Sequence, residues 1–463
     1  MFLLDDFRIV DESSDFRGSV LVENGFIKEV FESGNASCDK RRRPAVGPHP
    51  QTADMVIKGK NGLVLMPAFV DMHAHFREPG FGEVSVKETL ESACLAAAAG
   101  GYGTVVSMAN THPPVDSASR AAALKNRADV LGLIDLCPVL CLTKGMEGKE
   151  LSEITGLSSW LPGRAQEGFI RLLSEDGRDM ADDGLFLAAF SEARRAGLAV
   201  SCHCDLGGEY AAVRRAIELA VRAGARLHIA HVSTKEAVDL IRSVKAQTAR
   251  EPARRNGGRD AAAGNDGFDL TCEITPHHLA LDEKDAAALG TFGNVAPPLG
   301  SGEDRLALLE ALADGTADAI ATDHAPHTQA DKASGAPGFT GLETAFGVCY
   351  GVLAAPEVPA GFGPEKRRPE RHRPEKPGPQ RLSALMSASP ARILGFGEKG
   401  PLGRGKIAPG YRADLVVVDT EAAWTVVPNN FKSRGKNSPF EGRELRGKVL
   451  VTIHQGRVVF DGR

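Results

Sequence analysis

Eight short apolar, β-type runs recur along the middle of the chain, at residues 63–71, 104–108, 133–140, 169–174, 199–202, 227–230, 270–274 and 319–322. Between them lie Ala-rich or amphipathic stretches with helical spacing, at 86–99, 185–196, 209–223, 234–245 and 305–313. Strands that alternate with helices predict a parallel sheet, and eight repeats predict a closed (β/α)8 barrel rather than an open sheet. A doubly wound sheet is the alternative, but no Gly-x-Gly-x-x-Gly follows the first run. The two chain ends differ in character. Residues 6–10, 18–22 and 26–30, and again 413–418 and 449–453, alternate apolar with polar, which predicts one small flanking β domain built from both ends. The expected organisation is therefore 1–62 and 399–463 in the small β domain, with 63–398 forming the barrel. Segments 39–53, 249–268 and 361–381 are rich in charge, Pro, Gly or Ala and read as mobile surface loops.

At 463 residues the chain accommodates a barrel of about 250 residues or more with insertions, plus one smaller domain. Lys and Arg total 55 against 60 Asp and Glu, a net charge of -5 that offers nothing to nucleic acid or an acidic membrane surface. Segment 39–53 is basic, and the further basic stretch 367–373 is interleaved with Glu370 and has no aromatics, so it reads as a solvated loop rather than a nucleic-acid arm. No apolar run reaches the roughly 18 residues of a membrane span. Met1-Phe2-Leu3-Leu4-Asp5-Asp6 lacks the basic region and apolar core of a secretory leader, so a cytoplasmic protein is expected. Cys202, Cys204 and Cys272 fall inside apolar runs, which predicts buried thiols in a reducing compartment rather than disulfides.

The chemistry gathers where those runs end. The first leads into Val70-Asp71-Met72-His73-Ala74-His75-Phe76-Arg77. In an extended strand residues i and i+2 share a side, so His73, His75 and Arg77 converge. Imidazole is the commonest metal ligand in proteins. The fourth run ends in Ser174-Glu175-Asp176-Gly177, the fifth in His203, the sixth in His231 and the eighth in Asp323. These are C-terminal strand ends, where barrel enzymes place their active sites. Four neutral imidazoles and two carboxylates exceed what one tetrahedral ion needs; they suit two adjacent divalent ions that share a carboxylate and a hydroxide. Cys202 and Cys204 alternate with His203 and so face away from it.

A further set of motifs runs through almost the whole chain: Asp71-Met72-His73-Ala74-His75-Phe76-Arg77-Glu78-Pro79-Gly80, Met108-Ala109-Asn110-Thr111-His112-Pro113, Thr143-Lys144-Gly145, Glu175-Asp176-Gly177, His231-Val232-Ser233-Thr234, Thr275-Pro276-His277-His278-Leu279, Ala321-Thr322-Asp323-His324-Ala325-Pro326-His327, Pro337-Gly338-Phe339-Thr340-Gly341-Leu342-Glu343-Thr344 and Phe431-Lys432-Ser433-Arg434-Gly435-Lys436-Asn437-Ser438-Pro439-Phe440. In order and spacing they resemble the amidohydrolase superfamily, and within it the dihydroorotases of the bacterial class I type. The resemblance implies reversible zinc-dependent hydrolysis of dihydroorotate to N-carbamoyl-aspartate, a step of pyrimidine biosynthesis. It implies two zinc ions, with His73, His75 and Asp323 on the first, His203 and His231 on the second, and Asp176 bridging. Asp323 is then the proton carrier, Arg77 and Asn110 bind the substrate carboxylate, His327 assists, and backbone at Pro337 and Gly338 meets the ring. A homodimer or a complex with aspartate transcarbamoylase is the implied assembly.

The chain departs from that family's pattern at four places. Glu175 stands where an aspartate is usual, Ala109 where a proline is, and Ala296 and Gly300 where an asparagine and an arginine flank Pro-Pro-Leu. Ala296 thereby removes one polar contact near the substrate. Hydantoinases, dihydropyrimidinases and allantoinases share the barrel but bridge their ions with a carboxylated lysine at the fourth strand, where this chain offers Asp176, and Arg171 in Phe169-Ile170-Arg171-Leu172-Leu173. A non-catalytic dihydroorotase-like subunit would have lost ligands that this chain keeps. A binding protein with a structural zinc would need neither Asp323 nor Arg77.

Overall fold

The structure, a computed structural model, describes residues 1–33, 55–60, 62–80, 84–157, 168–250, 268–354 and 378–463. Eight parallel strands form the barrel: Phe69–Ala74, Tyr102–Ser107, Asp135–Pro138, Leu172–Ser174, Ala199–Cys202, Arg226–Ile229, Asp269–Ile274 and Ala319–Ile320. The first three make one ladder and the last five another. Two parallel bridges, Leu140 with Leu173 and Ala74 with His324, join the ladders into a closed ring. At the second seam the His75 amide donates to the His324 carbonyl at 2.8 Å, so the first and eighth strand ends are locked together where ligands were expected.

Helices Leu90–Ala99, Ala118–Leu131, Asp183–Ala196, Glu209–Ala223, Lys235–Arg250 and Gly302–Asp314 connect these strands. Their starts are set by side chains that take up orphan amides: Ser117 caps Arg120, Asp182 caps Leu185, and Ser301 with Asp304 forms a capping box. Gly197 and Gly224 end two of them with φ of 71° and 61°, a left-handed turn that carries the chain straight into the next strand. The run at 86–99 is broken where a single helix was expected. Thr89 accepts the Ser92 amide and Ser92 answers the Thr89 amide, so a new helix starts at Leu90 after the short turn Val84–Lys87.

The expectation of one strand over 63–71 is corrected. Leu63–Pro67 pairs antiparallel with Leu415–Thr425 and parallel with Phe2–Val10, in the sheet of the chain ends, whereas Phe69–Ala74 is the first barrel strand. Every residue of both pieces is buried, so hydropathy carries no mark of the change of sheet. That sheet runs in the order Arg457–Asp461, Glu444–His454, Leu415–Thr425, Leu63–Pro67, Phe2–Val10, Asp15–Glu23, Phe26–Glu32, with Met55–Lys58 added beside Phe2–Val10. Both ends of the chain meet in it, as the alternation predicts.

Segment 39–53 and most of 249–268 and 361–381 lie outside the described residues. The parts inside are ordered, contrary to a loop: 249–250 close helix Lys235–Arg250, and 378–381 open helix Gly378–Ser383. Arg381 is held there because its guanidinium donates to the carbonyls of Leu312 (2.9 Å) and Ala317 (3.3 Å). The cysteines among the described residues are free and buried.

Phe69 stands at the junction of sheet and barrel. It is fully buried, stacked on Phe346 at 5.5 Å and edge-on to Tyr102 at 5.6 Å. Truncating such a ring leaves a cavity as well as losing transfer energy, so Phe69→Ala is expected to cost about 3–5 kcal/mol, read as a lower urea midpoint at unchanged slope.

Candidate metal centre and active site

Six side chains predicted from separate stretches of sequence meet at one end of the barrel. His73 Nε2 lies 3.3 Å from Asp176 Oδ1 and 3.6 Å from Asp323 Oδ1; His75 Nε2 lies 3.1 Å from Asp323 Oδ1 and 3.6 Å from Asp176 Oδ2. On the far side His203 Nδ1 approaches His231 Nε2 to 2.8 Å and Asp176 Oδ1 to 3.5 Å. Two groups, His73/Asp176/His231 and His73/His75/Asp323, each hold their ligand atoms within 4.8 Å of one another, all from buried residues. The backbone is bent to achieve this. Arg77, Cys204, His231 and Asp323 all have positive φ, at 62°, 59°, 33° and 46°. For non-glycine residues such conformations cost about 1–3 kcal/mol each and persist only where the surroundings enforce them.

The donor set fits cations. His73 Nε2 and Asp176 Oδ1 are buried and make no hydrogen bond among the described residues. Asp205 Oδ2 lies 3.2 Å from His203 Nε2 and accepts its N–H, while His203 Nδ1 faces the His231 nitrogen at 2.8 Å. Two ring nitrogens at that separation share a proton, in a place that a metal ion could take instead. Electrostatics point the same way. Burial works against ionisation of Asp176, yet the charge on His73, with His203 and His231 close beside it, holds its pKa well below the usual value. Burial, with the neighbouring His203 and His73 adding to it, lowers His231. Burial lowers His203, but the nearby Asp176, Asp205 and Asp323 carboxylates together outweigh it and push it up to about 9. A cation entering here therefore displaces protons.

The supporting contacts set which nitrogen of each ring faces inward. His73 Nδ1–H donates to Glu273 Oε1 at 3.0 Å, while Glu273 Oε2 accepts from His228 Nε2 at 3.0 Å; His228 Nδ1 in turn lies 2.8 Å from Thr271 Oγ1. His75 Nδ1–H donates to Asn110 Oδ1 at 2.8 Å, and the Asn110 amide donates to Asp176 Oδ2 at 3.2 Å. The Asp71 carboxylate accepts the amide of Thr322 at 2.9 Å and that of His73 at 3.2 Å, tying the first strand to the eighth beside Asp323. Sequence reading passed over Glu273 and His228. The available signal was a charged residue inside the apolar run 270–274, since a buried carboxylate demands partners.

The other predicted residues form one wall. Arg77 reaches the Pro326 carbonyl at 3.4 Å and stands 3.3 Å from His327 Nε2. His327 Nε2 is only 2.8 Å from the Pro337 carbonyl, which can accept but not donate, so that nitrogen carries the proton. Burial, then the charges of Arg77 and Lys87, lower His327 to about 3 and keep the ring neutral. Gly338 has φ of 128°, and a Cβ built there would come within 2.6 Å of the Ala325 methyl. Asn110, expected on the substrate carboxylate, stands between His75 and Asp176. Glu175 turns away from the ligands and accepts the amides of Leu142 (2.8 Å) and Thr143 (3.0 Å), which accounts for its tolerance beside Asp176. Arg171 packs its guanidinium on Phe396 at 4.3 Å. At Gly300 an added Cβ would meet Asp304 at 2.9 Å, in the capping box of the next helix.

Residues 64–459 match the Amidohydrolase family. The chain belongs to that family. It is 31% identical over 467 residues to the dihydroorotase of Clostridium botulinum, covering 99% of both chains, and 34% identical over 494 residues to that of Anaeromyxobacter dehalogenans, covering 100% of this chain and 98% of the other. Its fold is similar to the solved L-hydantoinase (dihydropyrimidinase) of Arthrobacter aurescens, with a TM-score of 0.76 at 22% identity over 100% of this chain and 96% of that one. That likeness spans the barrel and the flanking β domain together. No helix among the described residues is long and apolar enough to cross a membrane.

Because Glu273 fixes the tautomer of His73, Glu273→Gln is expected to weaken metal binding about 10–100-fold while the protein stays folded. Metal titration against a competing chelator, with circular dichroism on the same sample, reads both.

Proposed function

We propose that this protein is a dihydroorotase that hydrolyses dihydroorotate to N-carbamoyl-L-aspartate and catalyses the reverse closure. The observation that carries the proposal is an aspartate, Asp176, between the two ligand groups, at a mouth whose wall presents Arg77. The full-length dihydroorotase relatives support the same substrate. The six ligands suit two zinc ions, one on His73, His75 and Asp323, the other on His203 and His231, with Asp176 shared. A cytoplasmic location, and either a homodimer or a complex with aspartate transcarbamoylase, belong to the same proposal.

When bound, such ions polarise a carbonyl oxygen and bring the pKa of water from 15.7 to about 7. Asp323 is placed to hold the proton released as water oxygen adds to the ring carbonyl carbon. Burial raises its pKa, but His75 and His73 bring it far below the normal range, so the acceptor is ionised. As the ring C–N bond breaks, the same carboxyl returns the proton to the leaving nitrogen. Arg77 presents a planar fork to the substrate carboxylate, a geometry that lysine lacks. Asn110 keeps His75 and Asp176 in register, and its contact with the same carboxylate requires its NH2 to turn from Asp176. His327, neutral and bound to Pro337, lines the ring site together with the backbone of Pro337 and Gly338.

The purified enzyme is expected to turn over dihydroorotate and to leave hydantoin and allantoin nearly untouched. Dihydrouracil, the same ring without the carboxylate, strands Arg77 and should lose about 2–5 kcal/mol in kcat/KM. Equal kcat/KM for the two would transfer the assignment to a dihydropyrimidinase. Asp323→Asn is expected to lower kcat about 10²–10⁴-fold; metal content measured in the same sample separates a lost base from a lost ligand.

A further inference from the structure

Lys332 lies in helix Gln329–Ala333, five residues beyond His327, and is completely buried. Among the described residues no carboxylate pairs with it. Its ammonium instead donates to three backbone carbonyls, Asn294 at 2.8 Å, Ala336 at 2.8 Å and Gly338 at 3.1 Å, and stands 5.1 Å from the Phe339 ring centroid. Burial pushes its pKa down to about 8. A desolvated cation without a counter-charge is costly, and three converging carbonyls are what a lysine with three donors needs to tolerate it. A methionine of similar length would fill the space without that cost, so the charge calls for a reason beyond packing.

The carbonyls it gathers supply one. Asn294 precedes Val295 and Ala296; Ala336 and Gly338 bracket Pro337. The Gly338 amide also donates to the Asn294 carbonyl at 3.0 Å, so the ammonium sits at a seam between two loops. From the opposite side Asn437, in the 431–440 motif near the chain end, donates to the same Gly338 carbonyl at 3.0 Å and to Ala325 at 3.0 Å, and accepts the His327 amide at 3.0 Å. The Gly338 carbonyl thus receives two donors, which turns it into the protein and fixes the plane of the neighbouring peptide.

We propose that Lys332 is a positioning residue for substrate recognition, which with Asn437 clamps the Gly338 carbonyl and holds the 294–296 and 336–338 loops in the shape that receives the cyclic substrate. With Ala296 unable to offer a side-chain amide, the loop backbone carries more of that recognition, and its rigidity matters accordingly. This rests on the ring contact proposed for Pro337 and Gly338. Lys332 itself touches neither substrate nor ligand residues.

The test compares Lys332→Met, Lys332→Arg and Asn437→Ala with the parent. Lys332→Met is expected to raise KM for dihydroorotate on the order of tenfold or more, with kcat within a few-fold and metal content unchanged. Lys332→Arg, which keeps charge and donors, should recover part of the loss. A purely structural lysine would lower the melting temperature and the active fraction but leave KM of the folded enzyme alone, and that result overturns the proposal. If Lys332→Met does not fold, Asn437→Ala applies the same criterion, since it removes the second donor to Gly338. Hydrogen exchange without substrate provides an independent arm: faster exchange confined to 294–296 and 336–338 supports the clamp, while unchanged exchange there refutes it. Should the parent fail to hydrolyse dihydroorotate, the functional reading falls and this exchange arm alone decides the clamp.

Discussion

The carboxylate of Asp176 is buried at the end of the fourth barrel strand with imidazole nitrogens of four histidines around it, at 3.3, 3.5, 3.6 and 3.8 Å. Such an arrangement is unfavourable for a bare protein: desolvated acceptors face one another, and protons must occupy positions that suit a cation better. The surrounding structure bears this strain. Positive φ at His231 and Asp323, the Asp71 link between first and eighth strands, and the Glu273–His228 pair behind His73 all act to keep these side chains in place. A site prepared in this way loses little order when it binds, which favours both affinity and a fixed reaction geometry.

Around that centre the rigid and adjustable parts are divided. The ligands come from strand ends, whose position the barrel ladder dictates. The wall that carries Arg77, His327 and Gly338 comes from loops, and loops require their own anchors. Glu343 accepts the amides of Lys432 (2.9 Å) and Ser433 (3.0 Å), and Glu88 takes the Ser433 hydroxyl and the Arg434 amide. Those contacts seat the 431–440 segment so that Asn437 reaches His327 and Gly338. The chain's C-terminal part therefore has two tasks, pairing in the flanking sheet and bracing the active-site wall. This explains why a motif so remote in sequence accompanies the histidines and aspartates of the centre.

Much of this was legible in the sequence. Eight short apolar runs separated by helical stretches pointed to a barrel, because a strand covered on both faces is apolar at nearly every position and the alternation with helices makes the sheet parallel. His73-Ala74-His75, Asp176, His203, His231 and Asp323 were legible as one site because each closes such a run, and a closed parallel barrel brings all C-terminal strand ends to one rim. What the pattern could not reveal was where one buried strand ends and another begins: Leu63–Pro67 and Phe69–Ala74 are equally apolar yet lie in different sheets, because the first pairs with Leu415–Thr425 and the second with Tyr102–Ser107. The tertiary structure alone decided the tautomers of the ligand histidines, the turning of Glu175 toward Leu142 and Thr143, and the burial of Lys332 among three carbonyls. Each depends on backbone groups brought together by folding, and a carbonyl's direction leaves no trace in the identity of its residue.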